Sequence, residues 1–105
     1  MTKDNGPQKH QTDYHKDLVK HALKFEAAVN AHKESRGDEE IRLKAVMEDH
    51  LQQIQAATNE IQTKEMHKQS VKLAKSTHEY FNYKSDENFA AVEQDLQTLM
   101  EYNQI

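Results

Sequence analysis

The chain contains no cysteine, one proline and two glycines among its 105 residues. The absence of cysteine removes disulfide scaffolds, thiolate zinc sites and cysteine nucleophiles together. It fits a reducing cytosol without fixing the compartment. Scarce glycine and proline argue against sheets and barrels, whose closely spaced turns draw on Gly, Pro, Asn and Asp. Phosphate-cradling loops and dinucleotide folds need several glycines in one turn, and Gly6 and Gly37 lie far apart. Long apolar runs are missing too. The longest, Phe89 to Val92, falls far short of the roughly twenty residues needed to cross a bilayer. The N-terminus MTKDNGPQKHQ has no apolar stretch of the signal-peptide kind. The expectation is a cytoplasmic protein, with export by a dedicated secretion system left open.

What the chain does have is helix formers: Ala, Leu, Glu, Lys and Gln dominate. Hydrophobic residues make up 35% and charged residues 30%. That is lean for a thick core, but the apolar residues recur at helical intervals, which disorder does not produce. The length suits one domain near the lower limit for a single core. The reading is all-α: an antiparallel helical bundle of three or four helices built on an N-terminal helical hairpin. It occupies residues 12–105 after a flexible tail, residues 1–11.

The helices are expected at about 12–35, 38–62, 65–82 and 86–103. The first has Thr12 or Asp13 as N-cap and an apolar row of Tyr14, Leu18, Ala22, Phe25, Val29 and His32, widened by Val19 and Leu23. In Ser-Arg-Gly-Asp-Glu-Glu, Gly37 suits a left-handed helix stop and Asp38 the next N-cap. Glu39 and Glu40 then favour the positive end of the helix dipole. The second helix carries Leu43, Val46, Met47, His50, Leu51, Ile54, Ala57 and Ile61 on one face. Beyond Ile61 the row slips. His67, Val71, Ala74, His78 and Phe81 form the expected core row of a third segment. Either the chain bends near Thr63, or an unbroken helix of about 60 Å needs a second copy to cover it. Ser85 is the expected N-cap of the last helix, whose row is Phe89, Val92, Leu96 and Leu99 with Met100 alongside. Residues 1–36 and 63–84 are net basic, and 37–62 and 85–105 net acidic. Sequential neighbours in an up-down bundle would therefore carry opposite charge, which disfavours wrong pairings more than it adds stability.

The seven histidines contain no pair at helical metal-binding spacing, and no Glu-x-x-His occurs. Asp17 with His21, extended back by Asp13, is the nearest local cluster; a metal site there needs ligands from another helix. His32, His50, His67 and His78 fall on the expected apolar faces, where protonation would set charge against apolar surface. The segment His21-Ala22-Leu23-Lys24 resembles the phosphoacceptor motif of histidine phosphotransfer domains, which are also helical bundles of about this size. That resemblance implies a phosphorelay role for His21. The family motif continues with glycine, where Phe25 stands here.

Arg36-Gly37-Asp38 spells a tripeptide read by integrins, but capping already accounts for Gly37 and Asp38. Lys64, Lys68, Lys72 and Lys75 form a basic row, as do Lys16, Lys20 and Lys24. The chain is net acidic and these rows carry no stacking aromatics, so they read as solvated faces and not as a nucleic-acid surface. Serines and carboxylates stand in no catalytic pattern.

Met66, Leu73, Tyr80 and Tyr83 lie off the expected core row of the third segment, and tyrosine is favoured in interfaces. These four residues are the candidate protein-binding surface, for another protein or a second copy; capping the bundle's end is the alternative. The expected function is a non-enzymatic protein-binding module, such as an inhibitor, adaptor or chaperone-like regulator, with no cofactor and no nucleic-acid or membrane partner. A phosphotransfer-like signalling bundle acting through His21 and a small metal-binding helical protein are the alternatives.

Overall fold

The computed structural model describes residues 11–61 and 63–103. Within them lie four helices: α1 (Gln11–Glu34), α2 (Asp38–Ile61), α3 (Lys64–Asn82) and α4 (Asp86–Tyr102). They run up, down, up and down, so that α1 packs on α2, α2 on α3, α3 on α4, and α4 returns to α1. The basic helix α3 therefore lies between the acidic helices α2 and α4, while α1 itself is balanced, its four lysines matched by four carboxylates. The expected tail lies outside the described residues except for Gln11, which opens α1. Thr12 and Asp13 therefore lie within the helix, not before its first residue.

Gly37 adopts φ 64°, the left-handed conformation expected at the α1–α2 turn. The N-cap assignment shifts by one residue. The Gly37 carbonyl accepts from the Ile41 amide at 3.2 Å, so Asp38 is already in the first turn of α2. Its carboxylate still faces the positive end of the helix, together with Glu39 and Glu40.

The slip after Ile61 is a helix break. Thr63 has extended backbone, and its side chain accepts from the Met66 amide, capping α3. There is no unbroken long helix and hence no need for a second copy to cover one. Ser85 caps α4 as expected, accepting from the Asn88 amide at 3.1 Å. Ser85→Ala should therefore cost about 1 kcal/mol of unfolding free energy, whereas Ser85→Asp should keep most of it. Urea denaturation of the two variants checks this.

The core is built from Leu18, Ala22, Phe25 and Val29 of α1, Met47, Leu51 and Ile54 of α2, and Val92, Leu96 and Leu99 of α4. All these belong to the expected rows. On α3 the expectation fails. The buried residues are Met66, Gln69, Ser70, Leu73, Thr77 and Tyr80. Val71 is 53% exposed, His67 and His78 are exposed, and Ala74 and Phe81 are half-buried. The larger side chains Met66, Leu73 and Tyr80 remove more apolar area from water than Val71 and Ala74 would. Polar members of the buried row find partners. Gln69 Nε2 donates to the Asp95 carbonyl at 2.9 Å, and the Thr77 hydroxyl donates to the Leu73 carbonyl at 2.7 Å. Ser76 adds a hydrogen bond to the Asp95 carboxylate, so α3 and α4 are joined by polar as well as apolar contacts.

One end of the bundle is tied across its two loops. Lys84 Nζ donates to the Ser35 carbonyl at 3.1 Å and to Glu40 at 3.0 Å. Below this tie sits an aromatic cluster. His32 Nδ1 is hydrogen-bonded to the Tyr80 hydroxyl at 2.9 Å, with Phe81 and Phe89 beside the two rings. Lys33 Nζ lies 4.3 Å above the Phe89 ring, a cation–π contact that closes the cluster from outside.

Candidate protein-binding groove

The four residues expected to form a binding surface do not stand together. Met66, Leu73 and Tyr80 are 2%, 0% and 0% exposed: they are core, and each meets its own bundle instead of solvent. Tyr83, at the C-cap of α3, is the exposed member of the set. The misplacement has one cause. The polar residues Gln69, Ser70 and Thr77 interrupt the Met66–Tyr80 row, so the neighbouring stripe reads as more continuous.

A different concavity lies between α1 and α4. It has a volume of about 730 Å³ and is lined by His15, Lys16, Val19 and Glu26 of α1 and by Leu96, Gln97, Met100, Glu101 and Asn103 at α4. Its position follows from how α1 and α4 are held. At one end Asn103 Nδ2 donates to the His15 carbonyl at 3.0 Å, and the Asn103 side-chain oxygen pairs with His15 Nδ1 at 2.6 Å. Toward the other end Lys33 pairs with Asp86 at 3.5 Å. Between the ties the two helices are less closely packed than α1 is with α2 or α3 with α4. Val19, from the widened part of the α1 stripe, faces this gap. Val19 is half-buried and lines it, while Leu23, one turn further on, is 53% exposed. Met100, off the main row of α4, lines the opposite wall.

Acidic residues cluster in and beside the gap, with Lys16 in its lining and Lys33 nearby. Glu93 Oε2 is buried with no hydrogen-bond partner among the described residues. Burial, and then the charge of Glu26 across the interface, push the Glu93 carboxyl up from its ordinary range; Lys33 opposes this. Glu26 and Glu101 line the groove itself. Val19 and Met100 were legible as apolar residues beside the main rows, which is the signal a sequence reading has for such a groove. The paired ties that hold it open were not.

The other sequence motifs occupy plain positions. Lys64, Lys68, Lys72 and Lys75 are exposed along α3, as are Lys16, Lys20 and Lys24 along α1. Arg36-Gly37-Asp38 is the α1–α2 turn. His21, the residue of the phosphotransfer-like segment, is half-buried and meets His50 of α2, with 3.1 Å between the two Nδ1 atoms. Among the described residues no group of three or more His, Cys, Asp or Glu is disposed to hold a metal ion. None of the described helices is long and apolar enough to cross a membrane. Comparison with family models, with curated proteins and with solved structures found no match to this chain.

Proposed function

We propose that this chain is a non-enzymatic protein-binding module that takes an amphipathic helix of a partner protein into the α1/α4 groove. The observation that carries this reading is a groove open between two end ties, with Val19, Leu96 and Met100 in its walls and Leu23 exposed one turn beyond Val19. Helix-in-groove recognition uses such a surface: apolar anchors at i, i+3, i+4 and i+7 enter the concavity and polar residues stay at the rim. Glu26 and Glu101, in the lining beside Lys16, favour a partner helix bearing lysine or arginine beside its anchors, since a cation there would pair with the acid in excess. In this role the bundle acts as an inhibitor, adaptor or chaperone-like regulator of the protein that supplies the helix.

The test is comparative capture. Wild-type chain and a Leu23→Glu/Met100→Glu variant are each used as bait in lysate of the source cell. A partner held by wild type and lost from the variant, with circular dichroism and thermal melt unchanged, is the expected result. Equal recovery by both baits, or a reaction turned over by the purified chain alone, would overturn the assignment. A solution mass of twice the chain, reduced to one by the same variant, would mean that the groove takes a second copy.

A further inference from the structure

We infer that His21 and His50 form a two-histidine site for a first-row divalent cation with imidazole preference, zinc or copper, bridging α1 and α2. The sequence offered His21 with no histidine at helical spacing. The fold supplies the missing ligand from a position 29 residues away, setting the Nδ1 atoms 3.1 Å apart with ring centroids at 5.3 Å.

The distance is that of two nitrogens sharing one small cation. Metal–nitrogen bonds of about 2.0–2.1 Å put two ligating nitrogens roughly 3.3 Å apart at a tetrahedral angle and about 2.9 Å apart at a right angle. Without a metal, one ring in its Nδ1–H tautomer donates to the Nδ1 of the other. A divalent ion would take the place of that proton and draw on both lone pairs at once, the donor ring moving its proton to Nε2.

The surroundings suit an ion that keeps water in its remaining positions. His21 opens onto a surface hollow of about 430 Å³ whose lining also includes Asp17, Glu60 and Lys20. The hollow gives an entry path and places carboxylates near the incoming charge. No third ligand completes the set among the described residues, so this is an open clamp and not a closed structural site. Imidazole suits zinc, copper and nickel, with copper the tightest in the usual order.

The test titrates zinc chloride and, separately, copper sulfate into the full chain and follows binding by calorimetry and the thermal midpoint. One saturable ion per chain is expected, with a midpoint raised by about 5 °C or more at saturating ion. His21→Gln and His50→Gln should each weaken binding at least tenfold, while a His67→Gln/His78→Gln control should bind as wild type does. Copper bound to wild type should show coupling to two imidazole nitrogens by electron paramagnetic resonance, a readout independent of variant stability. Absence of binding would overturn the site. So would equal affinity in the two single variants and wild type, or coupling to nitrogens that survives both substitutions.

Discussion

Leu73→Ala should lower the unfolding free energy by about 2–5 kcal/mol, whereas Val71→Ala, two residues earlier on the same helix, should change it by less than about 0.5 kcal/mol. The contrast follows from burial alone. Leu73 is fully buried and Val71 is 53% exposed. Truncating Leu73 removes apolar area from the core and leaves a cavity among packed neighbours, and both effects act in the same direction. Truncating Val71 removes methyls that already touch water. For a domain of this size the whole stability is about 5–15 kcal/mol, so the first change removes a large share of it. Urea midpoints with an unchanged denaturant slope are the appropriate measurement. Equal losses from the two variants would mean that α3 turns its other stripe inward. The same reasoning alters what a substitution at Tyr80 reports. Tyr80→Ser would create a cavity in the core, so a loss of binding in that variant would measure unfolding and not an interface.

Acidification should destabilise the fold through His32. Its ring is 4% exposed, and burial first, then the charge of Lys84, hold its imidazole below the ordinary 6.5. The charged groups facing it come from two other segments: Lys84 from the α3–α4 loop, and Lys44 and Glu40 from α2, with Glu40 alone favouring the charged form. Tyr80, from α3, presents a hydroxyl that burial pushes up to about 12, so it remains a neutral hydrogen-bonding partner throughout.

The direction of the effect follows from proton uptake. Above 6.5 the imidazole is neutral in both folded and unfolded chains, and the stability is whole. Below 6.5 the unfolded chain binds a proton that the folded chain resists, so stability falls until the lower folded value is passed. The loss is bounded at about 1.4 kcal/mol for each pH unit in that window. His21, also held low by burial, adds a loss in the same direction. Glu93, whose carboxyl is raised, opposes the trend only nearer its own range. Thermal melts at pH 7.5 and 5.5 should show a lower midpoint at pH 5.5. In His32→Gln the difference between the two pH values should shrink, even if the variant is less stable at both. A midpoint that is level or rises on acidification would show that His32 is not held neutral.

The residues that were read correctly share a property: the information lies within a turn or two of the chain. Gly37, followed by Asp38, Glu39 and Glu40, marks a helix stop and start because a left-handed residue and acidic first turns act locally. Ser85 caps α4 for the same reason. The apolar rows of α1, α2 and α4 recur at steps of three and four with large side chains, so the periodicity identifies the buried face without reference to the rest of the fold. Residues that were misread depend on a distant partner. Gln69 looks like a surface residue until Asp95 of α4 offers its carbonyl. His32 was placed on the buried row, but its partner Tyr80, 48 positions away, was not legible.

The amino-acid order alone therefore determined the all-α class, a bundle of three or four helices, and the limits of those helices to within a residue or two. Tertiary structure decided which stripe of α3 is core, where α1 and α4 fail to close, and which histidines meet. The physical reason is that a helix and its ends are set by short-range hydrogen bonding and side-chain spacing. Burial of a polar group is set by whether another segment can pair with it, and that is known only once the helices have packed.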